Sequence, residues 1–339
     1  MKTETVAAIY DRRRRSQTAA TERAVELLRE GEVVALPTET VYGLASDALD
    51  PLAVAKIFEA KGRPRFDPLI VHLPNRDWLE KITDVPVQGR ELVSKLAEKF
   101  WPGPLTIVLP KREVVPAIVT AGLETVAVRI SAHPAFAEIA QKFGKPVAAP
   151  SANRFGRISP TTAKHVLDEL NGLIALIIDA GPTTHGIEST IVRLNHSKLE
   201  ILRRGPITSE QLSEFAKVES GTESEKISAP GQLPTHYAPK TPLRLVDDLK
   251  LFKSNHRCAL LAWNPVKTDA RFVVIRNLSD SQDLREAAAN LFRYLRELDE
   301  LKVELIVAER VPDQGLGAAI LDRLTRASHS WDRKSDTPQ

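Results

Sequence analysis

The sequence predicts an α/β fold: a twisted sheet of mixed parallel and antiparallel strands with flanking helices, followed by a second, smaller α/β domain. Three observations carry this. Short apolar runs alternate with amphipathic stretches along most of the 339 residues. Several runs lie only a few residues apart, which calls for hairpins and so for a mixed sheet. Between about 218 and 241 the apolar periodicity fails, and prolines punctuate a polar stretch. Domains average roughly 100–200 residues. The expected division is therefore a first domain over 13–210, a linker over 211–242 and a second domain over 243–334.

The elements follow in order. Ala24, Val25, Leu27 and Leu28 predict a helix over 21–29, with Gly31 as its stop. A strand over 33–36 is closed by Pro37, and Asp50 with Pro51 reads as an N-cap and first helical position ahead of a helix to Lys61. Further strands are expected at 69–73, 105–109, 126–130, 147–149, 173–178, 189–194 and 199–202, with helices near 88–100, 134–143 and 161–170. The linker is polar over 219–226 and carries Pro230, Pro234, Pro239 and Pro242. Beyond it come strands at 258–263, 272–275 and 303–308 and a helix over 280–298. Ser279 and Gln282 read as its capping box, and Leu284, Ala288, Leu291, Leu295 and Leu298 form one apolar stripe, so this helix packs rather than catalyses.

Hydrophobic residues make up 42 % and charged residues 27 % of the chain. That is an ordinary globular balance, which leaves little room for wholesale disorder. One cysteine, Cys258, excludes a disulfide framework and a thiolate metal cluster and fits a reducing, cytoplasmic setting. The basic run Arg12 to Arg15 leads into a polar stretch over 16–22 with no apolar signal-peptide region, and no run approaches the ~20 apolar residues of a membrane span. A net charge of +3 suits anionic ligands but is too small to argue nucleic-acid binding.

The familiar nucleotide loops are absent. Gly181 and Gly186 have P-loop spacing, yet Ile187 and Glu188 stand where lysine and a hydroxyl are needed. Gly315 and Gly317 lack the third glycine of a dinucleotide fingerprint, and there is neither a nucleophile elbow nor a zinc helix. Polar residues instead gather just after short strands, where a sheet edge opens to ligands.

The first cluster is 37–44, with Thr38, Glu39, Thr40 and Tyr42 on one turn; it also reads as an ordinary polar loop. In the second, Lys61, Arg63 and Arg65 lie within five residues on a turn stiffened by Pro64 and Pro68. Gly62 in a left-handed C-cap would aim Lys61 and Arg63, which suits a polyphosphate, although basic residues at a helix end also simply complement its dipole. In the third, alternation sets Thr125, Ala127 and Arg129 on one strand face. An arginine on so apolar a strand is either salt-bridged internally or awaits a substrate carboxylate. The fourth, 146–153 with Gly156 and 159–162, combines small residues with Ser151 and Asn153 ahead of a helix N-terminus. Segments 185–190 and 202–205 add hydroxyls and cations.

Together these motifs resemble the L-threonylcarbamoyladenylate synthase family, the YrdC-like proteins. The motifs are 37–44, Lys61-Gly62-Arg63-Pro64, the run to His72, Pro150-Ser151-Ala152-Asn153, 189–192 and Arg203-Arg204-Gly205. The likeness covers about 16–210, and the whole chain is similar to the long two-domain form, in which 234–239 resembles the interdomain linker. It implies a YrdC-like sheet, a Rossmann-like C-terminal domain, and formation of threonylcarbamoyl-AMP and pyrophosphate from L-threonine, bicarbonate and ATP with Mg²⁺. The product would pass to a tRNA threonylcarbamoyl transferase complex, with weak tRNA binding as a further expectation. By the same likeness Thr40, His72, Arg129, Ala149 and Ser189 would surround threonine. Arg63, Asp67, Thr125, Ser151, Asn153, Ser159, Arg203 and Tyr237 would surround ATP, and Lys61 with Arg63 would be catalytic. Relatives often carry Asn where this chain has Asp67, and a carboxylate near phosphates needs a cation beside it. Two alternatives stand beside this reading. One is a module that binds double-stranded RNA or tRNA without catalysis. The other, ranked lower, is a carbamoyl-phosphate-dependent transferase, which lacks here any acylphosphatase-like or zinc-finger region.

Overall fold

The computed structural model describes residues 3–7, 14–195, 197–220, 229–233 and 236–335. Arg12 and Arg13 of the basic run, 221–228 of the expected linker, and Pro234 with Thr235 lie outside the described residues. The chain divides into two compact units. The first comprises Met1–Phe155, Pro160–Thr184 and Glu188–Gln232, and the second Gly156–Ser159, His185–Ile187 and Leu233–Gln339.

The first unit begins β1 (Glu4–Ala7), α1 (Arg14–Arg29), β2 (Val34–Leu36), β3 (Gly43–Asp47), α2 (Pro51–Lys61) and β4 (Ile70–His72). It continues α3 (Leu79–Ile82), α4 (Arg90–Phe100), β5 (Leu105–Pro110), α5 (Ala117–Thr120), β6 (Thr125–Arg129), α6 (Pro134–Phe143) and β7 (Val147–Ala148). It ends α7 (Ala163–Leu170), β8 (Leu176–Asp179), β9 (Thr190–Asn195), β10 (Lys198–Arg203), α8 (Ser209–Ser213) and β11 (Lys217–Ser220). The described strands form one sheet in the order β1-β8-β2-β3-β7-β4-β6-β5-β9-β10-β11. It is mixed, as expected: β4 and β6 run parallel, β5 and β6 antiparallel, and β9 with β10 make the expected hairpin. The expected strand over 173–178 begins only at Leu176, and the first helix starts earlier than its apolar pattern, at Arg14. Strand β3, of sequence Gly-Leu-Ala-Ser-Asp, was not expected, because small and polar residues carry little strand propensity; pairing with β2 and β7 overrides it. Within 211–242, expected as linker, β11 pairs in parallel with β10.

Alternation gives the sheet two unlike faces. On one face Val71, Ile107, Val126, Val128 and Val192 join the main core. On the other, β2, β3, β7 and β8 are packed by α1 and α6 through Leu28, Phe136 and Ile139. The remaining half of that second face, over β4, β6, β5 and β9, carries a small apolar cluster of Ile70, Ala127, Val108 and Ile191, joined by Ala229 and Leu202 and, among the described residues, by none from a helix. This floor positions the site.

In the second unit, β12 (Leu243–Val246), β13 (Cys258–Ala262), β14 (Phe272–Asn277), α9 (Leu284–Glu300), β15 (Leu305–Glu309) and α10 (Leu316–Ser335) form a smaller domain. Its sheet has the order β12-β15-β13-β14 with every pair parallel. The capping box expected at Ser279 and Gln282 is not formed. Gln282 is left-handed (φ 58°), so α9 starts later. Asp283 caps it instead, its carboxylate accepting from the backbone N–H of Arg285 (2.6 Å) and Glu286 (3.0 Å). Ala288, Leu291, Leu295 and Leu298 of the expected stripe are buried. Gly317 is required in the turn into α10, because a Cβ there would lie 2.0 Å from the Pro312 carbonyl oxygen. At the carboxyl end of β13, the Glu309 side chain accepts from the backbone N–H of Trp263 (2.9 Å) and Asn264 (3.0 Å).

Candidate active site

Helix α2 sets up the first half of the site. The Asp50 carboxylate accepts from the Leu52 N–H at 2.8 Å, and Gly62 ends the helix in the left-handed conformation (φ 60°), so Lys61 and Arg63 turn inward. Both are buried, at 2 % and 7 % exposure, which sets aside the reading of a solvated helix end for them; Arg65 is exposed. The Lys61 ammonium donates to the carbonyl oxygens of Ser151 (2.5 Å) and Asn153 (2.6 Å), tying the second motif to the fourth. Burial, with the nearby Arg63 charge, holds its pKa well below the usual lysine range. Arg63 donates to the Pro68 carbonyl (2.8 Å) and pairs with Asp67 at 2.9 Å, and Phe155 lies 6.0 Å from its guanidinium. The cation that Asp67 requires is thus present. Burial raises the Asp67 pKa, opposed by Arg63 and Lys61 of its own motif and by Arg203 at the end of β10, so cations from two segments act on one carboxylate.

The second half is a row of residues along one edge of the sheet. His72 and Arg129 end the parallel strands β4 and β6 and are register partners. Thr106 is the second residue of the neighbouring β5, and its hydroxyl lies 2.8 Å from that of Ser189, just before β9. Arg203, ending β10, donates to the Ser189 hydroxyl and carbonyl, both at 3.0 Å. His72 packs against Phe136 with ring centroids 4.7 Å apart, and burial together with the Arg129 charge keeps its pKa well below the usual histidine range. It is therefore neutral, and its Nδ1 is buried without a hydrogen-bond partner. Arg129 is internally salt-bridged: one terminal nitrogen meets the Glu39 carboxylate and the other donates to the Thr40 hydroxyl at 3.2 Å, while its Nε is buried without a partner.

The model of the Sua5/YciO/YrdC family, described as "Telomere recombination", matches residues 26–205, and that described as "Threonylcarbamoyl-AMP synthase, C-terminal domain" matches 207–329. The chain belongs to the Sua5/YciO/YrdC family. Threonylcarbamoyl-AMP synthase of Pyrococcus abyssi is 39 % identical over 325 residues, covering 90 % of this chain and 93 % of the relative. That of Bacillus subtilis is 41 % identical over 321 residues, covering 90 % and 92 %. A crystal structure of P. abyssi Sua5 complexed with L-threonine superposes with a TM-score of 0.85 at 37 % identity, covering 97 % of this chain and 98 % of that one.

Other residues expected from resemblance to this family take varied positions. Thr125 opens β6 on the same face as Ala127 and Arg129. The Ala149 N–H donates to the Ile70 carbonyl, and Ser151 bridges to Gly43, whose close approach to Ala149 would leave a Cβ only 3.2 Å away. Ser159 and Tyr237 belong to the second unit. There Tyr237, with φ 62°, stacks on Phe292 at 5.6 Å and lies 5.0 Å from the guanidinium of the fully buried Arg323. The first motif divides: Thr40 and Glu39 meet Arg129, whereas the Tyr42 hydroxyl donates to the Gly181 carbonyl at 2.7 Å and is structural. Sequence reasoning missed Glu39 and Thr106 as site residues. Glu39 sat in view on the first motif, but its partner lies 90 positions away. Thr106 stands inside an apolar strand with no signal around it.

Proposed function

We propose that this chain is a threonylcarbamoyl-AMP synthase: the amine of L-threonine takes up bicarbonate with loss of water, and the resulting carbamate oxygen attacks the α-phosphate of ATP, expelling pyrophosphate. The observation that carries the reading is the meeting of two unlike chemistries on one sheet. The buried cations Lys61, Arg63 and Arg203 gather around Asp67, and a neutral His72 with Arg129, Thr40 and Ser189 lies along the edge of the apolar floor. The first suits a triphosphate, the second a small hydroxylated amino acid. The names of the P. abyssi and B. subtilis relatives and the threonine complex support the same assignment.

In this reading Arg129 meets the threonine carboxylate, with Thr40, His72, Ala149 and Ser189 around the amino acid. Asp67, Thr125, Ser151, Asn153 and Arg203 contact the nucleotide. Lys61 and Arg63 offset the charge that gathers on the phosphate oxygens as the carbamate attacks. Positioning and fixed charge do most of the work, so no nucleophile is needed. In this reading magnesium enters with ATP as its counter-ion. Because the mixed anhydride hydrolyses, the product requires a transferase that moves the threonylcarbamoyl group to tRNA.

Lys61, Arg63, Arg129 and Arg203 are at most 7 % exposed. Cations so placed suit a small enclosed anion better than the continuous phosphate backbone of an RNA. No helix of the described residues is long and apolar enough to cross a membrane. The deciding experiment measures pyrophosphate release with threonine and bicarbonate omitted in turn. Release that ignores either omission refutes the proposal; release dependent on both, with a product of the mass of threonylcarbamoyl-AMP, supports it.

A further inference from the structure

We infer that Glu39 is a positioning residue for substrate recognition: it neutralises Arg129 and fixes its guanidinium so that the remaining Nε–H edge faces the amino acid. The inference rests on the proposed reading in which Arg129 meets the threonine carboxylate. Glu39 is 6 % exposed and held from several sides. One carboxylate oxygen takes the Arg129 terminal nitrogen. The other accepts from the Ser131 hydroxyl at 2.5 Å and the Ala132 N–H at 3.2 Å, and its backbone carbonyl accepts from the Thr184 hydroxyl at 3.1 Å. A stand-in waiting to be displaced by substrate would not be anchored by three groups besides the arginine. The Thr40 hydroxyl holds the second terminal nitrogen of Arg129, which leaves Nε as its buried, unpartnered donor, and the Nδ1 of His72, its register partner on β4, is equally unpartnered.

Charge follows from the geometry. An uncompensated guanidinium here would attract any small anion. Paired with Glu39, the site presents a directed N–H without net charge, so a bare carboxylate gains little and a ligand must also satisfy the surrounding hydroxyls and imidazole.

The test uses the full chain and steady-state pyrophosphate release, with Glu39→Gln, Ser131→Ala and Arg129→Lys. Glutamine keeps the shape, but one of its two ends must set an N–H against Arg129 or the Ala132 N–H. Glu39→Gln is expected to raise the threonine KM about tenfold or more while leaving the ATP KM within about threefold, the scale of a lost charged hydrogen bond. Acetate becomes a competitive inhibitor against threonine in this variant and not in the parent. Ser131→Ala, which only loosens the carboxylate, raises the threonine KM in the same direction by a few fold and serves if Glu39→Gln does not fold. An unchanged or lower threonine KM in both variants, or a fall in thermal midpoint with neither a KM change nor acetate inhibition, overturns the inference. Arg129→Lys separates the two layers. If it raises the threonine KM while the Glu39 and Ser131 variants do not, only the role of Glu39 fails. If Arg129→Lys itself leaves the threonine KM unchanged, the underlying reading of Arg129 fails.

Discussion

Replacing Gly205 by alanine tests whether the row at the sheet edge must be held in place. A Cβ at this position would lie 2.5 Å from the Thr190 nitrogen, 2.6 Å from the Glu188 oxygen and 2.7 Å from the Ser189 carbonyl carbon, all backbone atoms that no rotamer change can move aside. Comfortable carbon contacts begin near roughly 3.5 Å, so the segment must retreat by roughly 0.8–1 Å. That segment carries Ser189, which bonds Arg203 at 3.0 Å and lies 2.8 Å from the Thr106 hydroxyl. Overpacking of this kind costs about 1–3 kcal/mol, and a displacement of about 1 Å at a reacting centre costs about 10²-fold in rate. Gly205→Ala should therefore lower kcat/KM for threonine in pyrophosphate release by roughly ten- to a hundredfold and drop the thermal midpoint by a few degrees. Gly144→Ala is the control. It has φ 79° and no atom closer than 4.0 Å. It therefore carries backbone strain alone and should lose stability but not activity. Parental kcat/KM in Gly205→Ala would refute the reasoning.

Lys61→Met removes the ammonium held by the Ser151 and Asn153 carbonyls. It should cut pyrophosphate release by at least about 10²-fold with the circular dichroism spectrum retained; a variant keeping a tenth of parental activity removes Lys61 from the chemistry. Asp50→Ala deletes the cap of α2. Urea stability should fall by about 1 kcal/mol, and an unchanged urea midpoint would count against the cap. His72 has a folded-state pKa depressed by burial. Below about pH 6.5 the unfolded chain therefore binds a proton that the folded chain does not. Stability should accordingly fall as pH drops from 7 to 5.5, by at most about 1.4 kcal/mol per unit, and His72→Gln should flatten that slope in urea titrations at each pH. An equal slope in both proteins contradicts a neutral, buried His72.

The parts of the fold legible in the sequence were those with local signals. Asp50-Pro51 and Gly62 bracket α2 because a cap, a proline and a left-handed glycine act within a few residues. The β9–β10 hairpin follows from two apolar runs a short turn apart. What escaped depends on partners distant in sequence. Strand β3 exists because β2 and β7 flank it, and α9 begins at Leu284 because Gln282 turns left-handed in a context that composition does not reveal. In the site, Arg129 stood out as a cation on an apolar strand, and Lys61 and Arg63 as cations crowded on a turn stiffened by two prolines. The sequence left open whether Arg129 was paired, and the answer lay in Glu39, on a different motif.

Glu309 carries a consequence for the carboxyl end of the smaller sheet. In parallel sheets the amides beyond the strand carboxyl ends are where phosphates commonly dock. In the second unit the corresponding backbone N–H groups of Trp263 and Asn264 are already taken by a resident carboxylate. A carboxylate in that place fills the position with negative charge of the protein's own. The amides at this strand end are thereby satisfied within the fold itself, by a side chain from the neighbouring strand.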